Sequence, residues 1–488
     1  MFRPYRALVA FIPRLWSNWV TLLGTVITSI SGITLLAALA IDLTSSGLNA
    51  YAASILFLVI PAFFALGLVV IPVGLLLERR RGGRPPAPES LEAAIGRAIQ
   101  SPIARRRVAF VLVATVLNVV IFTTVTYHGV TFMESPKFCG TSCHSVMQPE
   151  YDAYNHSPHS RVACVECHIG GGAEATFKAK LNGLHQVWGV LTGRFDRPIK
   201  SPVHNLRPAT ETCGRCHQAA RQSGERISFR VHFKSDEANT PQVTALMFHV
   251  GGFDAKTGTW SGIHAHASDR ATLRYEVLDD KRETIGKIQK IEDGKVIKEW
   301  LPPKELQGKP ALALRTMDCT DCHNRATHIY DGTVDAAVEK ALTDGRLDRK
   351  VPWLRQEAAA ALAHATPARA EAEPQLRATL AAAYARDHAA ATPPAATLDG
   401  AAKGLAALYL RNVYPDLNLT WNNYASRMGH GGPDPGNSKA ECFRCHAGDR
   451  QTATGEDLPA KCELCHDTIV KDELPADLPD EIKPMLRL

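Results

Sequence analysis

Twelve cysteines constrain this 488-residue chain more than anything else in it: all lie from Cys139 onward and fall into six pairs, each followed directly by a histidine. The pairs are Cys139/Cys143, Cys164/Cys167, Cys213/Cys216, Cys319/Cys322, Cys442/Cys445 and Cys462/Cys465, and the histidines are His144, His168, His217, His323, His446 and His466. Five motifs read CxxCH and the first, FCGTSCH, reads CxxxCH. Two thiols bonding the two vinyl groups of one haem, with the next histidine reaching its iron, explain both the spacing and the leftover-free count. A zinc site needs four ligands and leaves the regular histidine unexplained. A disulfide scaffold fails for the same reason, and a thioredoxin-like motif needs one pair only. The expectation is six covalent haems c, or five if the stretched first motif is unused.

The chain before Cys139 is of another kind. Trp16–Ile41, Ala50–Leu77 and Val108–Gly129 carry no charged residue, and each reaches the length of about 20 residues that a bilayer-crossing helix requires. Arg3, Arg6 and Arg14 precede the first run, Arg79, Arg80, Arg81 and Arg84 follow the second, and Arg105, Arg106 and Arg107 precede the third. By the positive-inside rule the N-terminus and the 78–107 loop are cytoplasmic, which puts everything after the third run outside the cytoplasm. Haem c is attached on that side. The formal charge of +6 is concentrated near these runs, so membrane topology accounts for it and nucleic acid does not.

Electron-transferring haems usually fill both axial positions, so sixth ligands are sought among the thirteen other histidines. Candidates are His156 and His159 between the first two motifs, His185 after the second, His232, His264 and His266 between the third and fourth, His328 after the fourth and His430 before the fifth. Met147, three residues past His144, offers a thioether to the first iron. His364 and His388 sit in an Ala-rich helical stretch and read as surface residues.

The segment 122–217 resembles the NapC/NirT family of membrane-anchored multihaem quinol dehydrogenases, NrfH-type subunits included. It shows a span running into FCGTSCH, then PEYDAYNH, VACVECH, VWGVLTGRFDRP and ETCGRCH. MDCTDCHNRATH matches the family's fourth motif, displaced by insertion. The remainder, with WNNYASRMGHGG, AECFRCHAGD and AKCELCHD, is similar to the family's larger ImcH-type inner-membrane cytochromes. The resemblance implies oxidation of a quinol, with menaquinol the expected substrate, at the outer face of a bacterial inner membrane. Electrons would pass through the haems to a periplasmic cytochrome, a terminal reductase or an outer-membrane conduit. It also implies His156 and His328 as distal ligands, and a quinol pocket using the helix after the second motif. That helix offers Lys178 and Lys180, with Asn182 where some members carry Asp; Glu134 or His128 would replace the carboxylate. The first motif leaves His144 and Met147 both open as its ligand. The rival functions are a multihaem reductase with its own substrate site, for which no CxxCK occurs, and a haem-based redox sensor.

The expected fold is mainly α: a three-helix membrane anchor over 1–130 and a multihaem cytochrome c domain with little regular structure. The latter divides into 131–235 with haems one to three, a β-rich insertion at 236–312, the fourth motif at 313–332, an Ala-rich segment of two or three helices at 333–411, and a dihaem segment at 412–488. Asp293–Gly294 between β-favouring runs predicts a hairpin, and 471–488 an extended tail.

Overall fold

The computed structural model describes residues 18–44, 59–81, 102–141, 144–170, 173–203, 206–218, 224–254, 256–267, 271–365, 368–424, 426–428 and 441–488. The chain divides into two compact units, Met1–His144 and Ser145–Leu488.

In the first unit, helices α1 (Trp19–Thr44), α2 (Ile60–Arg81) and α3 (Pro102–Met133) are followed by the short α4 (Pro136–Thr141). The first two pack backbone to backbone. A Cβ on Gly24 would stand 2.9 Å from the Ile71 nitrogen, and one on Gly67 would strike Thr28. Small residues are what let helices approach this closely in lipid, where packing rather than the hydrophobic effect drives association. Leu35, Phe64 and Val125, one from each helix, bury together, while Ile33, Val69 and Val113 stay exposed on the outside. Among the described residues two helices, rather than the expected three, are long and apolar enough to cross a membrane: Trp19–Ala38 and Val116–Met133. In the middle helix the apolar stretch among the described residues, Ile60–Gly74, is shorter than those two; Glu78 and Arg79–Arg81 close the helix beyond Leu77, and the run before residue 59 lies outside the described residues.

The second unit opens with α5 (His144–Asn155), α6 (Cys164–His168), α7 (Ala173–Leu191) and α8 (Ala209–Thr212). Strands β1 (Glu225–Phe233) and β2 (Pro241–His249) follow, β1 starting before residue 236. Then come β3 (Gly252–Asp254), β4 (Thr259–Ser261), β5 (Ala271–Val277), β6 (Ile285–Glu292), β7 (Lys295–Trp300) and β8 (Ala313–Thr316). Strands β5 to β8 form an antiparallel sheet in the order β7-β6-β5-β8. Asp293 and Gly294, joining β6 to β7, both hold positive φ (47° and 75°), the pair that a two-residue hairpin with the strands' own twist demands.

Helix α9 (Cys319–Cys322) holds the fourth motif. The Ala-rich segment forms four helices rather than two or three: α10 (Val334–Thr343), α11 (Leu354–Ala363), α12 (Ala372–Asp387) and α13 (Ala395–Asn412). Gly345 at φ 74° and the Pro393–Pro394 pair account for breaks that the alanines conceal. Leu354, Leu362, Leu380, Tyr384, Leu405 and Tyr409 are fully buried among them, joined by Phe233 of β1. Asn239 ties the β1–β2 turn to these helices, its amide donating to the carbonyls of Arg349 (3.0 Å) and Val351 (2.8 Å). His388, expected at the surface, is largely buried. It stacks on Trp353 at 4.6 Å and bonds Glu357 at 3.0 Å. The C-terminal stretch is not simply extended either: β9 (His466–Glu473) adds to β2 as a third strand, and Leu478 and Ile482 are buried beyond it.

Candidate haem centres

Each CxxCH folds into a single turn. The His217 amide donates to the Cys213 carbonyl (2.7 Å), His323 to Cys319 (2.7 Å) and His446 to Cys442 (3.0 Å). Such i to i+4 closure brings the first cysteine and the histidine to one side, one above the other. Local caps start the turns. Asp318 and Asp321 form a reciprocal capping box around α9, and the Ser135 hydroxyl accepts from the Phe138 amide at 3.1 Å ahead of Cys139. In the first motif Cys139 is half-buried on α4, Cys143 lies outside the described residues, His144 begins α5, and half-buried Met147 follows one turn on.

The protein does not enclose all of the expected attachment cysteines. Cys216, expected to hold the third haem with Cys213, is exposed, whereas Cys213 is half-buried. Cys216 closes a three-residue 3-10 turn, its amide donating to the Cys213 carbonyl (3.1 Å), and so short a turn cannot cover its own last side chain. Cys167, Cys442 and Cys462 are exposed in the same way, while Cys164, Cys319, Cys322, Cys445 and Cys465 are half-buried. The second and third pairs are nevertheless close: the pKa of Cys167 is raised by burial first, then by Cys213, with Cys216 contributing as well.

Three motif histidines each face one other histidine. The ring centroids of His168 and His328 are 6.1 Å apart, those of His217 and His159 5.9 Å, and those of His446 and His266 5.9 Å. An imidazole nitrogen binds a first-row metal at about 2.0 Å and the ring centre lies about 1.1 Å behind it, so two histidines flanking one iron have centroids roughly 6 Å apart. The residues fit the group. The outer nitrogens agree: Nδ1 of His328 meets the Glu150 carbonyl (2.9 Å), Nδ1 of His159 that of Ala326 (3.0 Å), Nδ1 of His266 that of Ile263 (2.6 Å) and Nδ1 of His446 that of Pro459 (2.5 Å). A carbonyl accepts only, so each Nδ1 is the donor and Nε2 keeps its lone pair for a metal. Burial, then His328, lowers the pKa of His168, and burial lowers that of His266, which favours the neutral ligand form. Among the described residues no three His, Cys, Asp or Glu side chains converge as a bare-metal site would need.

Other candidates go elsewhere. His156 is exposed with Nδ1 on the Asp152 carbonyl (2.7 Å), so His159, not His156, is the one brought to a motif histidine. His232 pairs with Glu339, and His185 is exposed on α7. His430 lies outside the described residues. Of the quinol candidates, Lys178 and Asn182 are exposed on α7, which also carries Lys180, while His128 on α3 meets the Tyr127 ring edge-on at 5.8 Å and Glu134 closes the end of α3. Sequence reasoning missed a groove of about 240 Å³ between α2 and α3, lined by Pro61, Ala62, Ala65, Phe122, Thr126, Val130 and Met133. Its small and apolar residues give no motif to find.

The motifs of the second unit follow one another through space in sequence order. Arg215 of the third pairs with Glu166 of the second, and the Ala209 amide ahead of the third donates to Asp318 beside the fourth (3.4 Å). Arg444 inside the fifth donates Nη2–H to the Asp321 carbonyl of the fourth (2.9 Å). Burial pushes the Cys322 thiol up to about 12, with Cys442 adding to it, and burial, again with Cys442 adding to it, raises Cys465. Arg282, Arg427, Arg444 and Arg450 are all buried here. Arg450 donates to the carbonyls of Gly286 (2.6 Å) and Ile285 (2.8 Å), which seats the fifth motif on the β5–β6 hairpin. Among the described residues Nη1 of Arg427 has no hydrogen-bond partner and Nε of Arg450 has only the Asp449 carboxylate, 3.9 Å away, and buried guanidinium groups of this kind suit carboxylates such as haem propionates.

Residues 101–240 match the model of the NapC/NirT cytochrome c family, N-terminal region. The cytochrome c-type protein ImcH of Geobacter sulfurreducens is 33% identical over 460 residues, 93% of this chain and 88% of that protein. The cytochrome c-type protein NrfH of Wolinella succinogenes is 37% identical over 86 residues (17% of this chain, 47% of that protein), and NapC of Haemophilus influenzae 26% identical over 144 residues (25% and 69%). No solved structure matches the chain.

Proposed function

Since the chain belongs to the NapC/NirT cytochrome c family, among its ImcH-like members, and so is an electron-transfer cytochrome with covalent haem c, we propose that it is a six-haem quinol dehydrogenase of a bacterial inner membrane. The N-terminus lies in the cytoplasm and the haem-bearing part in the periplasm. The observation that carries this reading is the unbroken spatial succession of motifs two to six. A row of single-electron centres suits relay from one end to the other, whereas a reductase needs an iron open to its substrate, and the paired histidines leave none at three of the motifs.

Haem c supplies one-electron redox chemistry, whereas a quinol gives up two electrons and two protons. The protein must therefore hold the quinol and receive its protons. The groove between α2 and α3 admits an apolar ring from the bilayer side, with the Thr126 hydroxyl as a polar handle. Glu134, next to its lining residue Met133, or His128 is the group that accepts protons there; Lys178 and Lys180 are proposed, from the family resemblance alone, as the residues that hold a quinol oxygen. The first iron lies nearest the anchor in sequence, and His144 or Met147 ligates it. Menaquinol is the substrate assigned. Electrons leave to a periplasmic cytochrome, a terminal reductase or an outer-membrane conduit.

The test has two arms on purified holoprotein. Pyridine haemochrome should count six haems; five would mean that FCGTSCH is unused. A soluble menaquinol analogue should reduce the haems, and K178Q/K180Q should slow that reduction about tenfold or more while dithionite still reduces every haem. Quinol that leaves wild-type haems oxidised would favour the sensor reading.

A further inference from the structure

We propose that Arg427 and Arg444 form one buried carboxylate site between the fourth and fifth motifs, built for a haem propionate, and that their charge raises the potential of the haem it belongs to. The proposal rests on reading the CxxCH motifs as haem sites. All of its residues lie outside 101–240, the part matched by the family model.

Arg427 is brought to this place by two bonds. Its amide donates to the Asn324 side chain (2.8 Å), next to His323 of the fourth motif, and its Nη2 donates to the Lys281 carbonyl in the turn between β5 and β6. Arg444, inside the fifth motif, donates Nη1–H to the following carbonyl of that turn, Arg282, and Nη2–H to the Asp321 carbonyl of the fourth motif (2.9 Å). Two cations, one tied to each motif, therefore stand on consecutive carbonyls of a single turn.

Carbonyl oxygens orient a guanidinium but do not neutralise it. Arg427 is only 9% exposed, and its Nη1 has no hydrogen-bond partner among the described residues. The buried carboxylate beside it is already engaged: Asp321 takes the Tyr275 hydroxyl on Oδ1 and the Asp318 amide on Oδ2 (2.9 Å). A buried charged donor left open is costly, and the planar fork of a guanidinium matches a carboxylate in shape and charge. At a CxxCH site the carboxylate that comes with the cofactor is a propionate on the same ring as the iron. A cation held there offsets the propionate's charge and disfavours ferric iron, which carries one positive charge more than ferrous. Arg427 is thus a positioning residue that tunes a haem without touching its iron.

The experiment uses R427Q and R427K of the full holoprotein, titrated by spectroelectrochemistry. Pyridine haemochrome should give the wild-type haem count in both. In R427Q the midpoint of one haem should fall while the others keep theirs, and in R427K, which retains a cation, that midpoint should lie closer to wild type. H323M and H446M identify the haem: each moves its own midpoint upward, since Met favours the reduced iron, and R427Q added to the correct one lowers the midpoint that moved. Midpoints equal to wild type in R427Q overturn the proposal. So does an equal fall in all of them, which general opening to water would give, and so does a fall confined to a haem that neither Met variant marks. If R427Q loses haem, R427K decides: the carboxylate band in the reduced-minus-oxidised infrared difference spectrum should shift from its wild-type position, because an ammonium replaces the fork, and an unmoved band overturns the site. A failure of the underlying reading looks different: wild-type tryptic peptides around Cys319–Cys322 or Cys442–Cys445 would carry no haem mass.

Discussion

Residues 334–412 and the segments that carry the motifs are held together by different means. In helices α10–α13 apolar side chains meet one another: Leu354, Leu362, Leu380, Leu405, Tyr384 and Tyr409 are fully buried in one cluster. Around the motifs the cysteines are half-buried or exposed, the apolar cluster of Tyr275, Val277, Ile285, Ile288, Trp300 and Leu458 is smaller, and guanidinium is buried beside it, with Arg444 and Arg450 bonded to carbonyls of the β5–β6 hairpin and of neighbouring motifs. The first region has a hydrocarbon core, and its stability follows from area removed from water. The second puts several guanidinium groups inside with Asp321 as the buried carboxylate beside them among the described residues, an arrangement that costs free energy unless further groups complete it.

The sharpest break of that contrast is to deny one haem. With C442A/C445A the haem count should fall by one, and limited proteolysis should cut within 441–488 while 334–412 resists. Digestion of the Ala-rich helices first would reverse the comparison. A smaller and opposite effect comes from the core: L380A removes a fully buried side chain and should cost about 3 kcal/mol. It should be read as a fall in the melting temperature of the helical circular dichroism, with the haem absorption spectrum unchanged before melting.

The two regions also differed in how far they could be read in advance. The expected attachment positions could be proposed because CxxCH is a local pattern whose chemistry fits in one turn. How far the fold shelters each thiol was not, and Cys216 stands exposed beside half-buried Cys213, since cover over so short a turn comes from groups distant in sequence. Family membership was legible too, since the relation to the ImcH protein spans 93% of the chain and the quoted motifs run along most of that length. Which histidine faces which was hidden: His168 meets His328 and His217 meets His159 across 160 and 58 residues, and pairing at that range is set by tertiary packing. The resemblance put His328 forward as well as His156, yet it is the neighbour His159 whose ring stands beside a motif histidine, with its Nδ1 on the Ala326 carbonyl next to the fourth motif. Four helices instead of two or three, and β9 instead of a tail, were hidden likewise. Alanine favours helix without marking its ends, and a strand such as HDTIVKDE shows its pairing only when β2 is beside it. Arg444 and Arg450 carry no motif at all; an Arg within or just after a CxxCH is the one signal that would have raised them.

A middle-sized test lies where the regions' physics meet, beneath the fourth motif. Tyr275, on β5, donates its hydroxyl to the fully buried Asp321, and burial followed by that carboxylate holds the phenol well above its ordinary pKa. Y275F leaves Asp321 with the Asp318 amide (2.9 Å) and with Arg315 at 3.9 Å. The loss should be about 1–2 kcal/mol, seen as a lower denaturation midpoint monitored by haem absorption. A midpoint equal to that of wild type would mean that the carboxylate draws its support elsewhere and that polar contacts in this region are individually dispensable.

The smallest effect separates the polar contacts from the cofactor itself. Asp279 closes the turn between β5 and β6, accepting from the Glu283 amide (3.1 Å) and the Thr284 amide, and this turn presents the Arg282 carbonyl to Arg444. Burial alone would raise the carboxyl pKa, but the hydrogen bonds from Thr284 and Glu283 outweigh it and hold it below the ordinary value. A depressed folded-state pKa means stability that is present above the unfolded value of about 3.9 and is lost as pH falls through the folded one. D279A should therefore cost about 1 kcal/mol at pH 7, and the gap between variant and wild type should close as pH falls toward 3. Any release by acid of histidines that would hold haem would occur in both proteins, so the difference between them isolates the turn. A gap that stays constant with pH would assign the effect to lost packing at residue 279 rather than to its charge, and would move this turn from the polar side of the comparison to the apolar one.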